Sequence, residues 1–188
     1  MKYPLSILLL ICLALGSTRC GVDTRPDKQP ATETIEWLNM EEAVKRADKD
    51  GKKILIDVYT DWCGWCKRMD ATTYEDPAVI KYVREHYHAV KFDAEQHDEV
   101  TIHGAVYKWQ QAGTRNGVHE LAYKMLNGEM SYPTTVFAYS RMDTLIASVP
   151  GYLDAAQMHA YLRYFQDEAF KKNIRFEQYL AEPAPTKK

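Results

Sequence analysis

The chain reads as one α/β domain: a mixed central sheet flanked by helices, with an inserted hairpin-plus-helix at about residues 96–131, ahead of Tyr132-Pro133. Three observations predict this class. Ile54 to Tyr59 is a near-continuous, β-branched apolar run, as expected of a central strand covered on both faces. It runs straight into a helical stretch opened by Cys63-Gly64-Trp65-Cys66. Strand-like and helical segments then alternate along 188 residues, the length of one modestly elaborated domain.

Composition adds little beyond exclusions. The 46% hydrophobic and 27% charged fractions are ordinary for a globular protein. A formal net charge of −2 gives no basic excess for nucleic acid or an anionic membrane surface.

The first 20 residues differ from the rest. Lys2, an apolar run from Leu5 to Leu15, and the small residues Gly16 and Ser17 have the order of a secretory signal peptide, too short for an ordinary transmembrane span. Ala14-Leu15-Gly16 offers a cleavage site before Ser17. Cys12 would leave with that segment, which strands Cys20 once Cys63 and Cys66 pair. Cys20 is therefore a candidate lipidated N-terminus, although Arg19 occupies a position where a lipobox wants a small residue. A lipoprotein and a simply secreted form both stay open, and both place the protein outside the cytoplasm, in a bacterial periplasm or envelope.

Residues 21–33 are polar with two prolines, a linker. The domain then spans 34–181. Ile35–Leu38 suits a short first strand. Asn39 with Glu42 resembles a capping box, and Met40, Ala43, Val44 and Ala47 follow at helical spacing. Asp50-Gly51 turns into the central strand. The helix after Cys63 breaks near Thr72–Glu75, and Asp76-Pro77 opens another with Val79, Ile80, Val83 and Tyr87 inward. His88–Ala94 is the next strand, parallel to the central one.

Within the insertion, Val100–Trp109 alternates around His103-Gly104 as a hairpin, and Gln110–Gly117 is a polar loop. Val118, Leu121, Ala122, Met125 and Leu126 form a helical stripe closed by Gly128. Strands follow at Thr134–Tyr139 and Thr144–Val149. Asp154 and Gln157 start the last helix, with Met158, Tyr161, Leu162, Phe165 and Ala169 inward. The tail 182–188 is rich in Pro and Lys and is expected to fray.

The chemistry sits at Cys63 and Cys66. A thiol at a helix N-terminus faces unpaired N–H groups and the positive end of the dipole, which favour thiolate, the reactive form. Cys66, one turn on along the same face, is placed to resolve a mixed disulfide made at Cys63. A zinc site needs two further ligands at suitable spacing, and haem attachment needs His where Lys67 stands. Asp57 is out of place in an apolar strand, where burial should raise its pKa. Trp62 and Trp65 flank the nucleophile as an apolar landing surface for extended substrates. His97, His103 and His119 read as surface residues without a role, and the 13 tyrosines as packing.

Asp57-Val-Tyr-Thr-Asp-Trp-Cys-Gly-Trp-Cys-Lys67 resembles the active-site segment of the thioredoxin superfamily, including the strand acid six residues before the first cysteine. Tyr132-Pro133-Thr134 is similar to its cis-proline segment, and Val90-Lys91-Phe92-Asp93 to its third strand. Thr73–Val79 further resembles secreted thioredoxin-like proteins related to the C-terminal domain of DsbD-type interchange proteins. The resemblance implies that Cys63 and Cys66 form the redox disulfide, that Asp57 accepts or relays the Cys66 proton, and that Lys91 partners Asp57. It also implies that Gly64, Tyr132, Pro133 and Thr134, with the two tryptophans, bind substrate, the Tyr132 backbone pairing with an extended segment. Trp65 replaces the proline of the family's commonest reductases, and Tyr132 is bulkier than usual before the cis-proline.

The expected function is an extracytoplasmic thiol-disulfide oxidoreductase, a protein-disulfide reductase before an oxidase or isomerase. It needs no organic cofactor or metal. Its partners are protein or peptide disulfides and a membrane electron donor of the interchange type. It involves no nucleic acid, and the membrane only through a lipid anchor. A partner-binding or chaperone-like module with an incidental disulfide is the reading from another class. A third idea gives residues 96–131 one dedicated partner.

Overall fold

A computed structural model describes residues 33–111, 116–142 and 145–181, which fall within one unit beginning at Thr32. The signal segment, Cys20, residues 21–32 of the linker and the 182–188 tail lie outside the described residues. In chain order the elements are β1 (Trp37–Leu38), α1 (Met40–Asp50), β2 (Lys53–Tyr59), α2 (Gly64–Ala71), α3 (Pro77–His86), β3 (Tyr87–Asp93) and β4 (Val100–Ile102). Then come β5 (Ala105–Tyr107), β6 (Trp109–Gln110), β7 (Val118–His119), α4 (Glu120–Met125), β8 (Thr134–Ala138), β9 (Leu145–Pro150), α5 (Ala155–Gln166) and α6 (Phe176–Ala181).

The main sheet has the order β1-β3-β2-β8-β9, so the apolar run is its centre. β2 pairs parallel with β3 and antiparallel with β8, which makes the sheet mixed. Because side chains alternate along a strand, β2 feeds two cores. Ile54, Ile56 and Val58 pack with α1, α4 and the insertion, whereas Leu55 and Phe137 pack with α3 and α5. Each fully buried aliphatic side chain contributes about 1.5–3 kcal/mol of transfer free energy. Asp57 shares the Leu55 face.

The helix starts follow their sequence signals. Asn39 accepts the Glu42 amide at 2.8 Å, although the Glu42 side chain turns to Arg46 and does not close the box. Asp76 accepts from Ala78 and Val79, with Pro77 at the first helical position. Asp154 and Gln157 form a reciprocal capping box.

Four sequence expectations need correction. The insertion holds a second two-stranded ladder, in which Trp109 pairs with His119 and Gln110 with Val118. The polar stretch from Gln110 is thus partly strand, and Val118 lies in β7, ahead of the helix. A two-residue strand is too short to show an alternation, so only the pairing reveals it. His119 is fully buried, because its backbone joins that ladder while its ring caps α4. The final helix ends at Gln166, and Ala169 is buried from a following 3-10 turn that starts after Glu168 in the left-handed region (φ 52°). α6 was not expected; Phe176 stacks on Tyr161 with centroids 3.8 Å apart, which holds it against α5. The expected hairpin is present as β4–β5, its turn using positive φ at His103 and Gly104.

Candidate active site

β2 ends at Tyr59, and the chain turns through Thr60–Trp62 to place Cys63 as the N-cap of α2. Its Sγ accepts the Cys66 amide at 3.1 Å, so the sulfur occupies the place of a capping oxygen. Cys63 and Cys66 are joined as a disulfide. Cys63 is 5% exposed and Cys66 1%, which makes the first sulfur the outer one. Here the helix N-terminus and its unpaired amides act directly on Cys63.

Asp57 is fully buried within β2, the strand that leads into this turn. It lies in register with Lys91 on β3 and Thr135 on β8. Lys91 Nζ is 3.2 Å from Asp57 Oδ2, an ion-pair contact without hydrogen-bond angles, and also binds Asp70 of α2. Burial pushes the Asp57 carboxyl up to about 6, with Lys91 pulling the other way and Asp70 adding to the rise. For Lys91, burial lowers the pKa but the two carboxylates outweigh it, so the net direction is upward. Its ammonium also sits over Tyr59, Trp37 and Tyr74, with 5.0, 5.4 and 5.9 Å to the ring centroids.

The Tyr132-Pro133 bond is cis. Pro133 accepts from the Gly151 amide at 2.8 Å, and the Thr134 hydroxyl donates to Ser131 at 2.8 Å, which fixes the turn leading into β8. The Tyr132 ring meets Trp62 edge-on at 5.8 Å, joining this turn to the cysteine loop. Trp62 and Trp65 are 61% and 55% exposed, an apolar rim on either side of Cys63. Trp62 Nε1 donates to Glu95, which also accepts from Asn116 of the insertion. Trp65 lies against Tyr152, and Arg68 covers both rings. Gly64 opens α2 with open space where a Cβ would stand.

The fold therefore gathers Cys63, Cys66, Asp57 and Lys91 around the β2–α2 junction, with Trp62 in contact with Tyr132. Sequence reasoning missed Asp70, Tyr74, Thr135 and Glu95. Asp70 lies four positions after Cys66 on α2, the one signal that could have found it. His97 stacks on Trp109 and His103 contacts the Ser140 carbonyl. Among the described residues, no group of three or more His, Cys, Asp or Glu side chains could hold a metal.

Residues 40–166 match the family model for the thioredoxin-like domain. The chain belongs to this thioredoxin-like family. Its thioredoxin-like sequence is 26% identical over 151 residues to the thiol:disulfide interchange protein DsbD of Citrobacter koseri, covering 80% of this chain and 22% of that relative. It thus spans about a fifth of that protein's length. The thioredoxin-like fold also aligns with a thioredoxin-fold protein from Helicobacter pylori, with a TM-score of 0.51 and 19% identity, over 70% of this chain and 80% of the other. A thioredoxin from Thermus thermophilus aligns with a TM-score of 0.50 and 16% identity, over 70% and 87%. A thioredoxin-like domain carrying a Cys63–Cys66 disulfide is of the disulfide-oxidoreductase kind.

Proposed function

We propose that the protein is an extracytoplasmic reductase of protein or peptide disulfides. The observation that carries the reading is Cys63 capping α2 through its sulfur, with Asp57 fully buried in the strand that leads to it. In the reduced protein the Cys63 thiolate attacks a substrate disulfide and forms a mixed disulfide, releasing one substrate thiolate. Cys66 then gives its proton to Asp57 and attacks Cys63 Sγ, and the second substrate sulfur leaves. A base with its pKa near 6 is suited to that transfer at neutral pH. Lys91 keeps Asp57 from rising further. Gly64, Trp62, Trp65, Tyr132, Pro133 and Thr134 form the substrate rim, with the Tyr132 backbone, outside β8, available to an added strand.

Recharging needs an electron donor, and similarity to DsbD favours a membrane interchange protein. The same similarity and the signal-like first 20 residues support a periplasmic address, with lipidation at Cys20 a candidate anchor. The reaction as written uses the disulfide and needs no metal or organic cofactor.

The test is the potential of the Cys63–Cys66 pair together with insulin reduction. A value near −270 mV with turnover supports a reductase, and one near −120 mV makes the protein an oxidant. Equal activity of Cys63→Ser and wild type leaves only a partner-binding role.

A further inference from the structure

Asp57, Thr135 and Tyr74 are 0%, 0% and 4% exposed, and among the described residues neither Asp57 carboxylate oxygen, the Tyr74 hydroxyl nor Thr135 Oγ1 completes a hydrogen bond. Buried polar atoms are nearly always paired, and leaving one unpaired costs stability that phenylalanine at position 74 would avoid. The groups are neighbours. Asp57 and Thr135 are cross-strand partners, and the Tyr74 hydroxyl is close enough to each to alter its own and Asp57's protonation. Tyr74 is held there by the 3-10 turn Thr73–Glu75 and by an edge-on contact with Trp37 at 4.9 Å. The charged groups acting on Asp57 are Lys91 from β3 and Asp70 from α2, the helix that also carries Cys66.

We propose that Tyr74 is a positioning residue for Asp57: its hydroxyl turns to donate to the carboxylate when Asp57 is ionised and to Thr135 when Asp57 holds the proton. The inference rests on the reading above, in which Asp57 takes the Cys66 proton. A phenol has one proton to give and an oxygen that also accepts, so one rotation serves both states. In the resolving step the Cys66 proton passes to an Asp57 oxygen, and the Cys66 thiolate bonds to Cys63 Sγ. The Cys63–substrate bond breaks, and the departing thiolate is protonated by solvent. Asp57–H then donates to the Tyr74 oxygen, and Tyr74 donates to Thr135. Tyr74 ends with the proton it began with. Lys91 is a cation shared with Asp70, so Tyr74 supplies a neutral donor able to follow Asp57 through its cycle.

The experiment is the carboxyl titration of Asp57 by carbon-13 NMR in the full-length oxidised protein, for wild type and Tyr74→Phe. Losing the donor should move the midpoint to alkaline pH by about one unit, the size of one hydrogen bond to a charged group. A tyrosine fluorinated beside its hydroxyl at position 74 keeps the shape, donates more strongly, and should move the midpoint to acid. Opposite shifts support the role; an unchanged midpoint in the folded variants, or shifts of one sign, overturns it. The titration needs no turnover, so it decides the role of Tyr74 separately from the redox reading. Failure of wild type to reduce insulin would sink that reading alone.

Discussion

Asp57 and Lys91 face each other in register across β2 and β3, with 3.2 Å between Nζ and Oδ2, yet the carboxyl still titrates near 6. Burial outweighs the cation. A carboxyl raised above its unfolded value of 3.8 favours folding below that value and loses this advantage as pH rises through 6. Asp57→Asn should therefore stabilise the fold at pH 8 by about 2–3 kcal/mol and do little at pH 4. Denaturant unfolding at the two values checks this; a loss of stability at pH 8 contradicts it.

The cap geometry separates the two cysteines. Cys63→Ser should abolish disulfide reduction, since the proposed nucleophile is gone. Cys66→Ser should stop after one attack and accumulate a mixed disulfide, visible as an added mass under non-reducing conditions. Free turnover by Cys66→Ser would rule out resolution within the chain.

Glu95 holds the Trp62 indole at 3.0 Å and Asn116 at 3.2 Å, so one carboxylate ties the exposed Trp62 to the insertion. Glu95→Ala should release Trp62, seen as a changed emission and anisotropy of its fluorescence. Loss of a half-exposed bond of this kind corresponds to about 0.5–1.5 kcal/mol, a two- to tenfold fall in kcat/KM for peptide disulfides. Small-molecule disulfides should be spared.

His119 accepts the Leu121 amide at Nδ1 and donates from Nε2 to the Asp98 carbonyl, so the ring is neutral. Burial lowers its pKa below the usual 6.5, and protonation would remove the acceptor. A depressed pKa makes this contribution available above pH 6.5 and lost as pH falls beneath it. His119→Asn keeps a capping side chain but gives up the edge contact with Phe92. It should melt lower at pH 7.5, with a flatter fall in Tm between pH 7 and 5 than wild type.

What the sequence made legible was whatever broke a local pattern. Asp57 stands out in an apolar run, Cys63 and Cys66 recur at one helical turn, and Asp76-Pro77 announces a helix start. Lys91 came from family resemblance, because a lysine on a strand otherwise reads as solvated. Asp70 reads the same way on α2, and Tyr74 follows a helix break where no periodicity points it inward. Thr135 looks like an ordinary strand threonine until register sets it beside Asp57. β6, β7 and the burial of His119 depend on pairing between distant segments, which a one-dimensional pattern does not carry. α6 needs its aromatic partners on α5 before it has a face to bury.

Both sulfurs ride on the opening turn of a single short helix, while the strand beneath it is locked into two cores at once. Their bond joins residues three positions apart, so it ties no distant parts of the scaffold together. Any partner that must tell the charged molecule from the spent one has to sense it through a patch a few side chains wide. If the protein is the proposed reductase, discrimination between donor and acceptor falls to contact chemistry at that patch.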